Sequence, residues 1–338
     1  MSIYIIAEAG INHNGSLEKA MKMIEIAKDC GADAIKFQTF KTQNLVTPSA
    51  PMADYQKINT KSGGSQFEML KNCELNFDQF INLHQACRNM EIDFLSTAFD
   101  KESLNFLINN LSPKYVKWPS GEINNYLLME ELRGTKIPIL LSTGMSSMDE
   151  IRNSLNILRQ IICHNDITLL QCTSNYPTDL KNVNLRVLQT FRNLEKDLKV
   201  GFSDHTLGFS AAIAAVGLDA TVIEKHFTLN QNDAGPDHAA SLNPSQLKEF
   251  IKLIREAELS LGSEKKILQD CEISTQNVAR KSLFYAKSLK AGHQIQLNDL
   301  KAMRPNSFIP SSELYRFLNK KLSKDVEIEM PLEFDDIE

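Results

Sequence analysis

The sequence lacks the features that mark membrane, secreted and nucleic-acid-binding proteins. Its longest apolar runs fall far short of the ~20 residues that a membrane-spanning helix needs. The first residues, MSIYIIAEAG, contain no basic segment, and their short apolar run meets Glu8 at once, so we expect no secretory signal and a cytoplasmic protein. The 338 residues carry a net charge of −5, which argues against a polybasic surface and a nucleic-acid partner.

Cysteine is also scarce, and the overall composition shows no bias. The six cysteines are scattered without a CxxC pair, so we expect reduced thiols rather than a zinc knuckle or a redox motif. With 42% hydrophobic and 23% charged residues, the chain has an ordinary globular composition. Disorder, collagen and coiled coil are therefore excluded.

Short apolar runs alternate with helix-period segments from the N-terminus to about residue 262. The amphipathic segments 16–31 and 148–162 have sequences typical of helices, and the first opens with a serine cap and ends in glycine. Eight such units predict an α/β fold, a (β/α)₈ TIM barrel, since the GxGxxG of a dinucleotide-binding open sheet does not follow the first strand. The predicted strands are residues 3–8, 32–37, 92–97, 114–118, 138–143, 167–172, 198–203 and 220–226.

Three further segments differ from this repeat. Residues 39–76 separate the second strand from its helix, and βα connections of this length are usually functional. After a barrel domain of residues 1–262, residues 263–280 are polar and predict a linker. Residues 281–338 have short strand patterns and one brief helix; a piece this small buries little core alone, so we expect it to dock on another surface.

Polar side chains end every predicted strand. Because the carboxyl ends of barrel strands meet at one mouth, we expect these side chains to surround one site. Two inward-facing lysines need an anionic partner, so Lys36 and Lys117 indicate a phosphate or carboxylate ligand. The strand-end residues are Glu8, Lys36, Gln38, Ser96, Thr97, Lys117, Ser120, Glu122, Ser142, Thr143, Thr173, Ser174, Ser203, Asp204, His205, Glu224 and His226.

The roles of the histidines and of Glu8 stay open at this point. His205 and His226 end neighbouring strands and could bind one divalent metal, or they could simply be hydrogen-bonded in a packed mouth. Two ligands are fewer than the three of a usual catalytic zinc site. Glu8 could be a general base or a salt-bridge partner of Lys36.

Ten motifs, in the same order along the chain, resemble those of the bacterial sialic acid synthase family. Together they cover nearly the whole chain, and ten ordered motifs are far more specific than any one alone. They are IIAEAGINHNGS (5–16), DAIKFQTF (33–40), KWPSGE (117–122), LSTGM (141–145), CTSNYP (172–177), GFSDHTLG (201–208), IEKHFT (223–228), AGPDHAAS (234–241), VARKS (278–282) and MRPNS (303–307).

The resemblance implies both a reaction and an architecture. The reaction is the condensation of phosphoenolpyruvate with N-acetylmannosamine, which gives N-acetylneuraminate, a nine-carbon 2-keto sugar acid, and phosphate. The architecture is a TIM barrel followed by a small antifreeze-like (SAF, β-clip) domain, assembled as a domain-swapped homodimer. Such an assembly would explain the small C-terminal piece.

The resemblance also implies roles for individual residues. Glu8 would handle protons, with Lys36 and Lys117 acting beside it in catalysis, and His205 and His226 would bind Mn²⁺ or Mg²⁺. The residues that would contact phosphoenolpyruvate are Lys36, Thr97, Lys117, Ser120, Ser142, Ser174 and Ser203. Those that would contact the sugar are Gln38, Glu122, Tyr176, Asp237 and, from the partner's C-terminal domain, Arg304.

Four positions depart from the family pattern without removing a charged or metal-binding group. Ser174 stands where some members have Asn, Gln171 where His is common, Ala98 where Pro is common, and Asn306 where Gly is common. Asn adopts the left-handed backbone conformation more readily than most residues, so Asn306 is a mild change.

Alternative functions remain. Related synthases use a 2,4-diacetamido-2,4,6-trideoxy hexose to make N,N'-diacetyllegionaminate or pseudaminate, and we place N-acetylmannosamine narrowly first. A metal-dependent barrel hydrolase would use His205 and His226 with Asp204 or Glu224 and would not need phosphoenolpyruvate. A non-catalytic binding protein would have no use for this set of charged residues at one mouth.

Overall fold

The structure, a computed structural model, describes residues 2–60, 64–163, 166–195 and 197–338. The chain divides into two compact units, Met1–Gly262 and Ser263–Glu338. Across the described ranges, every helix is too short or too polar to cross a membrane.

The first unit is a closed barrel of eight parallel strands in sequence order, as predicted. Each strand begins and ends within two residues of its predicted bounds. The first strand closes the barrel by pairing Glu8 with Lys36 of the second strand and with His226 of the eighth. The strands are β1 Tyr4–Gly10, β2 Ala34–Thr39, β3 Asp93–Ala98, β4 Val116–Trp118, β5 Ile139–Ser142, β6 Ile167–Cys172, β7 Lys199–Asp204 and β8 Val222–His226.

Helices surround the barrel, and the first of them begins where its capping residue predicts. The first helix follows Ser16, whose hydroxyl accepts a hydrogen bond from the Lys19 backbone N–H. The helices of this unit are α1 Leu17–Asp29, α2 Thr42–Leu45, α3 Asp54–Thr60, α4 Gln66–Cys73, α5 Phe77–Asn89, α6 Lys101–Phe106, α7 Tyr126–Met129, α8 Met148–Ile161, α9 Val187–Arg192, α10 Ser210–Val216 and α11 Pro244–Leu261. A π-helical turn, Leu107–Leu111, continues α6, and short 3₁₀ turns span Ser120–Glu122, Glu130–Leu132, Leu180–Asn182 and His238–Ala240.

The long connection at residues 39–76 contains the three helices α2, α3 and α4. The Glu74 carboxylate holds its two ends together, because it accepts from the backbone N–H of Thr42 at 2.9 Å and from its hydroxyl at 2.7 Å. This connection is therefore a small helical layer beside the barrel rather than an irregular loop.

The apolar interior of the barrel shows which polar side chains at the strand ends face inward. Ile6, Ala34, Leu95, Leu140, Leu170 and Val222 form a buried apolar cluster of one residue from each of six strands. Residues two apart on a strand share a face, so Glu8, Lys36 and Glu224 lie on the inward face directly above this cluster. The outward faces pack with the surrounding helices in the main core.

The second unit has its own small core, which includes Tyr285, Phe317 and Leu332. Residues 263–280, predicted as a linker, are assigned to this unit and contain a short helix. The elements of the unit are α12 Ile273–Ala279, β9 Ser282–Tyr285, β10 Leu300–Met303, α13 Leu314–Phe317 and 3₁₀ turns at Asp270–Glu272, Leu297–Asp299, Ser311–Glu313 and Phe334–Asp336, with β9 and β10 antiparallel.

Candidate active site

Four buried charges meet at the mouth of the barrel. Lys36 Nζ lies 2.7 Å from Glu8 Oε2 and 3.7 Å from Glu224 Oε2. Lys117 Nζ lies 2.9 Å from Glu224 Oε1. None of these four side chains is more than 5% exposed, so the two lysines and two carboxylates balance each other out of contact with bulk water.

Burial and charge shift the two carboxylates in opposite directions. Burial raises the pKa of Glu8 to about 7, although Lys36 opposes the shift. Burial acts in the same direction on Glu224, but Lys117 and Lys36 outweigh it and hold the pKa of that carboxyl well below its usual range. Glu224 is therefore ionised at neutral pH, whereas Glu8 titrates near neutrality.

Hydroxyl groups bond to two members of this cluster of charges. Lys36 Nζ donates to Thr97 Oγ1 at 3.0 Å, and Ser203 Oγ donates to Glu224 Oε1 at 2.8 Å. Ser142 Oγ is buried and, within the described part of the chain, has no hydrogen-bond partner. Hydroxyls beside two ammonium groups are suited to bind the oxygens of an anionic ligand.

Two more predicted hydroxyls converge on a glycine. Ser120 Oγ accepts from the Gly144 backbone N–H at 2.9 Å. A Cβ at Gly144 would clash with the hydroxyls of both Ser174 and Ser120, so only glycine lets the chain pass here. The structure thus brings Ser120 and Ser174, from the loops after β4 and β6, to the same point.

The two histidines lie side by side with a tyrosine against them. The ring centroids of His205 and His226 are 5.3 Å apart, and the Tyr176 ring lies 4.1 Å from His205 and 5.5 Å from His226. His205 Nδ1 lies 2.8 Å from the Thr173 carbonyl oxygen and donates to it, which leaves Nε2 as its free nitrogen. Burial and the neighbouring His205 lower the pKa of His226 well below its usual range, so this ring is neutral.

The donor atoms fit a metal ion with two imidazole ligands. His226 Nδ1 is buried without a hydrogen-bond partner among the described residues, as expected of a nitrogen reserved for a ligand. Over the described ranges, His, Cys, Asp and Glu side chains form no group of three or more that could hold a metal. A metal at this position would therefore take its remaining ligands from water or substrate.

The predicted sugar contacts divide into two sets. A Cβ at Gly10 would lie 3.3 Å from both Gln38 Nε2 and Glu8 Oε1 and 3.8 Å from Asp237 Oδ2, so these three groups meet around the end of β1. Burial raises the pKa of Asp237 to about 6. The structure therefore joins Gln38 and Asp237 to the cluster of buried charges through Glu8.

The other predicted sugar contacts have local partners. Glu122 is half-buried and accepts a hydrogen bond from Asn125 Nδ2 at 2.6 Å. Arg304 is exposed in the second unit, where its Nε donates to the Ala279 carbonyl oxygen at 2.9 Å.

Two residues at the mouth have no predicted role in the condensation. Glu224 was expected among the strand-end residues and as a ligand only in the hydrolase alternative, and Cys172 was not singled out at all. Glu224 carries the central carboxylate, and its position two residues before His226 places it on the same inward face. Two inward lysines opposite Glu8 alone also imply a second carboxylate. Cys172 contacts His205, with its Sγ 3.8 Å from His205 Nδ1. Burial raises the pKa of this thiol, but His205 outweighs it and lowers the value to about 7.

Comparisons with known proteins show which family and which solved structures this chain resembles. The model of the NeuB family matches residues 23–266. The N,N'-diacetyllegionaminic acid synthase of Legionella pneumophila is 40% identical over 100% of this chain and 95% of its own length. A protein of the same name from Campylobacter jejuni is 42% identical over 95% of this chain and 96% of its own. The crystal structure of N-acetylneuraminic acid synthetase from Leptospira borgpetersenii, 29% identical, superposes with a TM-score of 0.71 over 81% of this chain and 90% of that one.

Proposed function

The chain belongs to the NeuB family and is a nonulosonate synthase, and we propose that it condenses phosphoenolpyruvate with a 2,4-diacetamido-2,4,6-trideoxy hexose to form N,N'-diacetyllegionaminate. The identities of 40% and 42% to two N,N'-diacetyllegionaminic acid synthases support this choice of sugar. N-acetylmannosamine, which we placed narrowly first from the sequence, remains the second candidate. The similarity to an N-acetylneuraminic acid synthetase structure favours it.

The observation that carries the proposal is the pair of buried lysines at the barrel mouth, with the Thr97 and Ser203 hydroxyls bonded within the same cluster of charges. Phosphoenolpyruvate carries a phosphate and a carboxylate, and two fixed ammonium groups suit both. In the proposed complex, Lys36 and Lys117 bind these anionic groups. The hydroxyls of Thr97, Ser120, Ser142, Ser174 and Ser203 supply the neutral donors around them.

A divalent metal ion, Mn²⁺ or Mg²⁺, is part of the proposal, with His205 and His226 as its ligands from this chain. This assignment is supported by His226 Nδ1, which has no hydrogen-bond partner among the described residues, and by the bond of His205 Nδ1 to Thr173, which leaves the other ring nitrogen for a metal. When bound, such an ion would polarise the aldehyde oxygen of the open-chain sugar. Gln38, Glu122, Tyr176 and Asp237 would orient the sugar beside it.

The side chains of the barrel then account for the remaining steps. The enol carbon of phosphoenolpyruvate attacks the aldehyde carbon, whose C=O bond opens so that its oxygen takes up a proton and becomes a hydroxyl. Water then adds to the cation that forms at C2. Glu8 accepts the proton of that water, for which a carboxylate with a pKa of about 7 is well matched. The tetrahedral intermediate expels phosphate by cleavage of its C–O bond, and Lys36 and Lys117 stabilise the charge that develops.

A second copy of the chain completes the proposed site. Leu127, Met145, Leu180 and Leu207, in the segments that follow strands β4 to β7, are 86%, 72%, 60% and 60% exposed. Large apolar side chains exposed around one rim favour a partner surface. We assign that role to the partner's C-terminal unit, as an antifreeze-like (SAF) domain in a domain-swapped homodimer that brings Arg304 to the sugar.

A cytoplasmic location also belongs to the proposal. All six cysteines lie within the described residues and are free thiols. Free thiols are typical of a reducing compartment, whereas secreted proteins usually pair them.

The experiment that tests the choice of sugar compares kcat/KM for the two amino sugars under Mn²⁺, with product masses measured in each reaction. We expect the 2,4-diacetamido-2,4,6-trideoxy hexose to exceed N-acetylmannosamine by at least about tenfold, since a site built for a substrate's polar groups rejects an analogue that lacks them. A preference for N-acetylmannosamine would establish the second candidate. Absence of phosphate release with either sugar would contradict the synthase assignment itself.

A further inference from the structure

The segment that follows strand β1 contains asparagines to which the proposed reaction gives no role. Asn12 is 2% exposed, and its Nδ2 donates to the Phe227 carbonyl oxygen at 2.8 Å and to Ser241 Oγ at 2.9 Å. Asn14 Nδ2 donates to the Ala234 carbonyl oxygen at 3.0 Å. All three acceptors belong to residues 227–243, the loop between β8 and α11, which we call the β8–α11 loop.

A third asparagine reaches the same loop from a different part of the chain. Asn59 lies in α3, within the long helical connection, and its Nδ2 donates to the Pro236 carbonyl oxygen at 2.6 Å. Pro236 immediately precedes Asp237, the predicted sugar contact. Amide donors from two separate segments therefore bind main-chain carbonyls on the N-terminal side of one carboxylate.

The residue after Asp237 is fixed as well. His238 is 1% exposed; its Nδ1 lies 2.7 Å from Thr228 Oγ1 and its Nε2 3.3 Å from Asn14 Oδ1. A Cβ at Gly235 would lie 2.6 Å from His238 Cδ2, so the loop packs against the ring too closely for any larger residue. The backbone on both sides of Asp237 is thus held by contacts that end at Asn14 and Asn59.

We propose that Asn14 and Asn59 are positioning residues for the amino sugar, because they hold the β8–α11 loop so that the Asp237 carboxylate faces the barrel mouth. The inference rests on the proposed function, in which Asp237 contacts the sugar. Bonds to main-chain carbonyls fix the path of the loop itself. The lysines proposed for phosphoenolpyruvate are held instead by Glu8, Thr97 and Glu224, so the two substrates depend on different supports.

The test measures KM for the amino sugar, KM for phosphoenolpyruvate and kcat in Asn14→Ala, Asn59→Ala and the double variant. We expect each single change to raise the sugar KM at least about fivefold, because Asn59→Ala loses one hydrogen bond and Asn14→Ala loses two. The phosphoenolpyruvate KM should change by less than about twofold. Asn59→Gln, which keeps an amide donor, should recover part of the affinity for the sugar. Asn82→Ala, at an exposed site on α5, is the matched control.

Asp237→Asn separates the inference from the proposed function. An increase in sugar KM for Asp237→Asn, together with unchanged values for the asparagine variants, would overturn the positioning role. An unchanged sugar KM in Asp237→Asn would instead overturn the sugar contact. If the asparagine variants raise the KM of both substrates equally, the barrel mouth has loosened as a whole and the positioning role is overturned. The same conclusion follows if Asn59→Gln recovers none of the affinity for the sugar.

Discussion

Lys117 Nζ lies 2.9 Å from Glu224 Oε1, and both side chains are buried at the mouth of the barrel. The same carboxylate oxygen accepts a hydrogen bond from Ser203, and the other lies 3.7 Å from Lys36. Three groups proposed to bind phosphoenolpyruvate therefore already surround an internal carboxylate. Glu224 therefore forms ion pairs with both lysines, and an incoming anion must share them with it.

Glu224→Gln should destabilise the protein without its substrate by about 3 kcal/mol, since removing one partner of a buried ion pair leaves the other charge uncompensated. Phosphoenolpyruvate should then raise the melting temperature of the variant more than that of the parent protein, because its anionic groups replace the missing charge. Thermal unfolding with and without phosphoenolpyruvate measures both effects.

Glu25→Gln is the control for this prediction, since Glu25 pairs with Lys22 on the exposed surface of α1. That variant should match the parent protein in stability, because exposed ion pairs contribute little. Equal stabilisation of the parent protein and Glu224→Gln by phosphoenolpyruvate would contradict the role assigned to Glu224.

Lys117→Ala should weaken the use of phosphoenolpyruvate far more than that of the sugar. The variant loses a charge-assisted hydrogen bond to an anion, so we expect kcat/KM for phosphoenolpyruvate to fall about 100-fold. Steady-state kinetics with each substrate varied in turn measures the difference. Equal losses for both substrates would remove Lys117 from the anion site.

Arg304→Ala should weaken the use of the sugar far more than that of phosphoenolpyruvate. Mixing this variant with Lys117→Ala tests the domain-swapped dimer. If each site combines the barrel of one chain with the C-terminal unit of its partner, a mixed dimer contains one site with both wild-type groups. Refolding the two variants together in equal amounts should therefore restore about a quarter of the parent activity. Activity that stays at the level of the separate variants would contradict the composite site.

The pH dependence of kcat/KM should report Glu8. Burial raises the pKa of Glu8 to about 7 in the free enzyme, and the proposed base acts only when ionised. Activity should therefore rise with pH up to about 7 and level above it. In Glu8→Gln this rise should disappear along with most of the activity, and persistence of the same profile would assign the titration to another group.

The sequence predicts the barrel well because its pattern is local and repeated. Short apolar runs that alternate with helix-period segments predict the bounds of all eight strands to within two residues. The serine before α1 predicts where that helix begins. The three helices of residues 39–76 were not predicted. Their contacts, such as the hydrogen bond that the Thr42 backbone N–H donates to the Glu74 carboxylate, join residues that are distant in the sequence.

The candidate site is predicted in part for the same reason. Strand periodicity places Lys36, Lys117 and the histidines on inward faces, so their meeting at one mouth follows from the closed barrel. Which carboxylate pairs with which lysine depends on side-chain geometry across strands. Glu224 was therefore expected at the mouth but was given no role in the condensation. Contacts such as that of Asn59 with Pro236 join segments 177 residues apart, and periodicity carries no information about them.

The bond that breaks in phosphoenolpyruvate tests the synthase assignment most directly. The reaction is run with Mn²⁺, each amino sugar and phosphoenolpyruvate labelled with ¹⁸O in the oxygen that bridges carbon and phosphorus. Attack of water at C2 followed by C–O cleavage predicts that the label leaves with the phosphate, whose mass increases accordingly. Label retained in the keto acid would contradict cleavage of the C–O bond. Phosphate released at the same rate without the sugar would contradict the condensation itself and indicate a hydrolase instead.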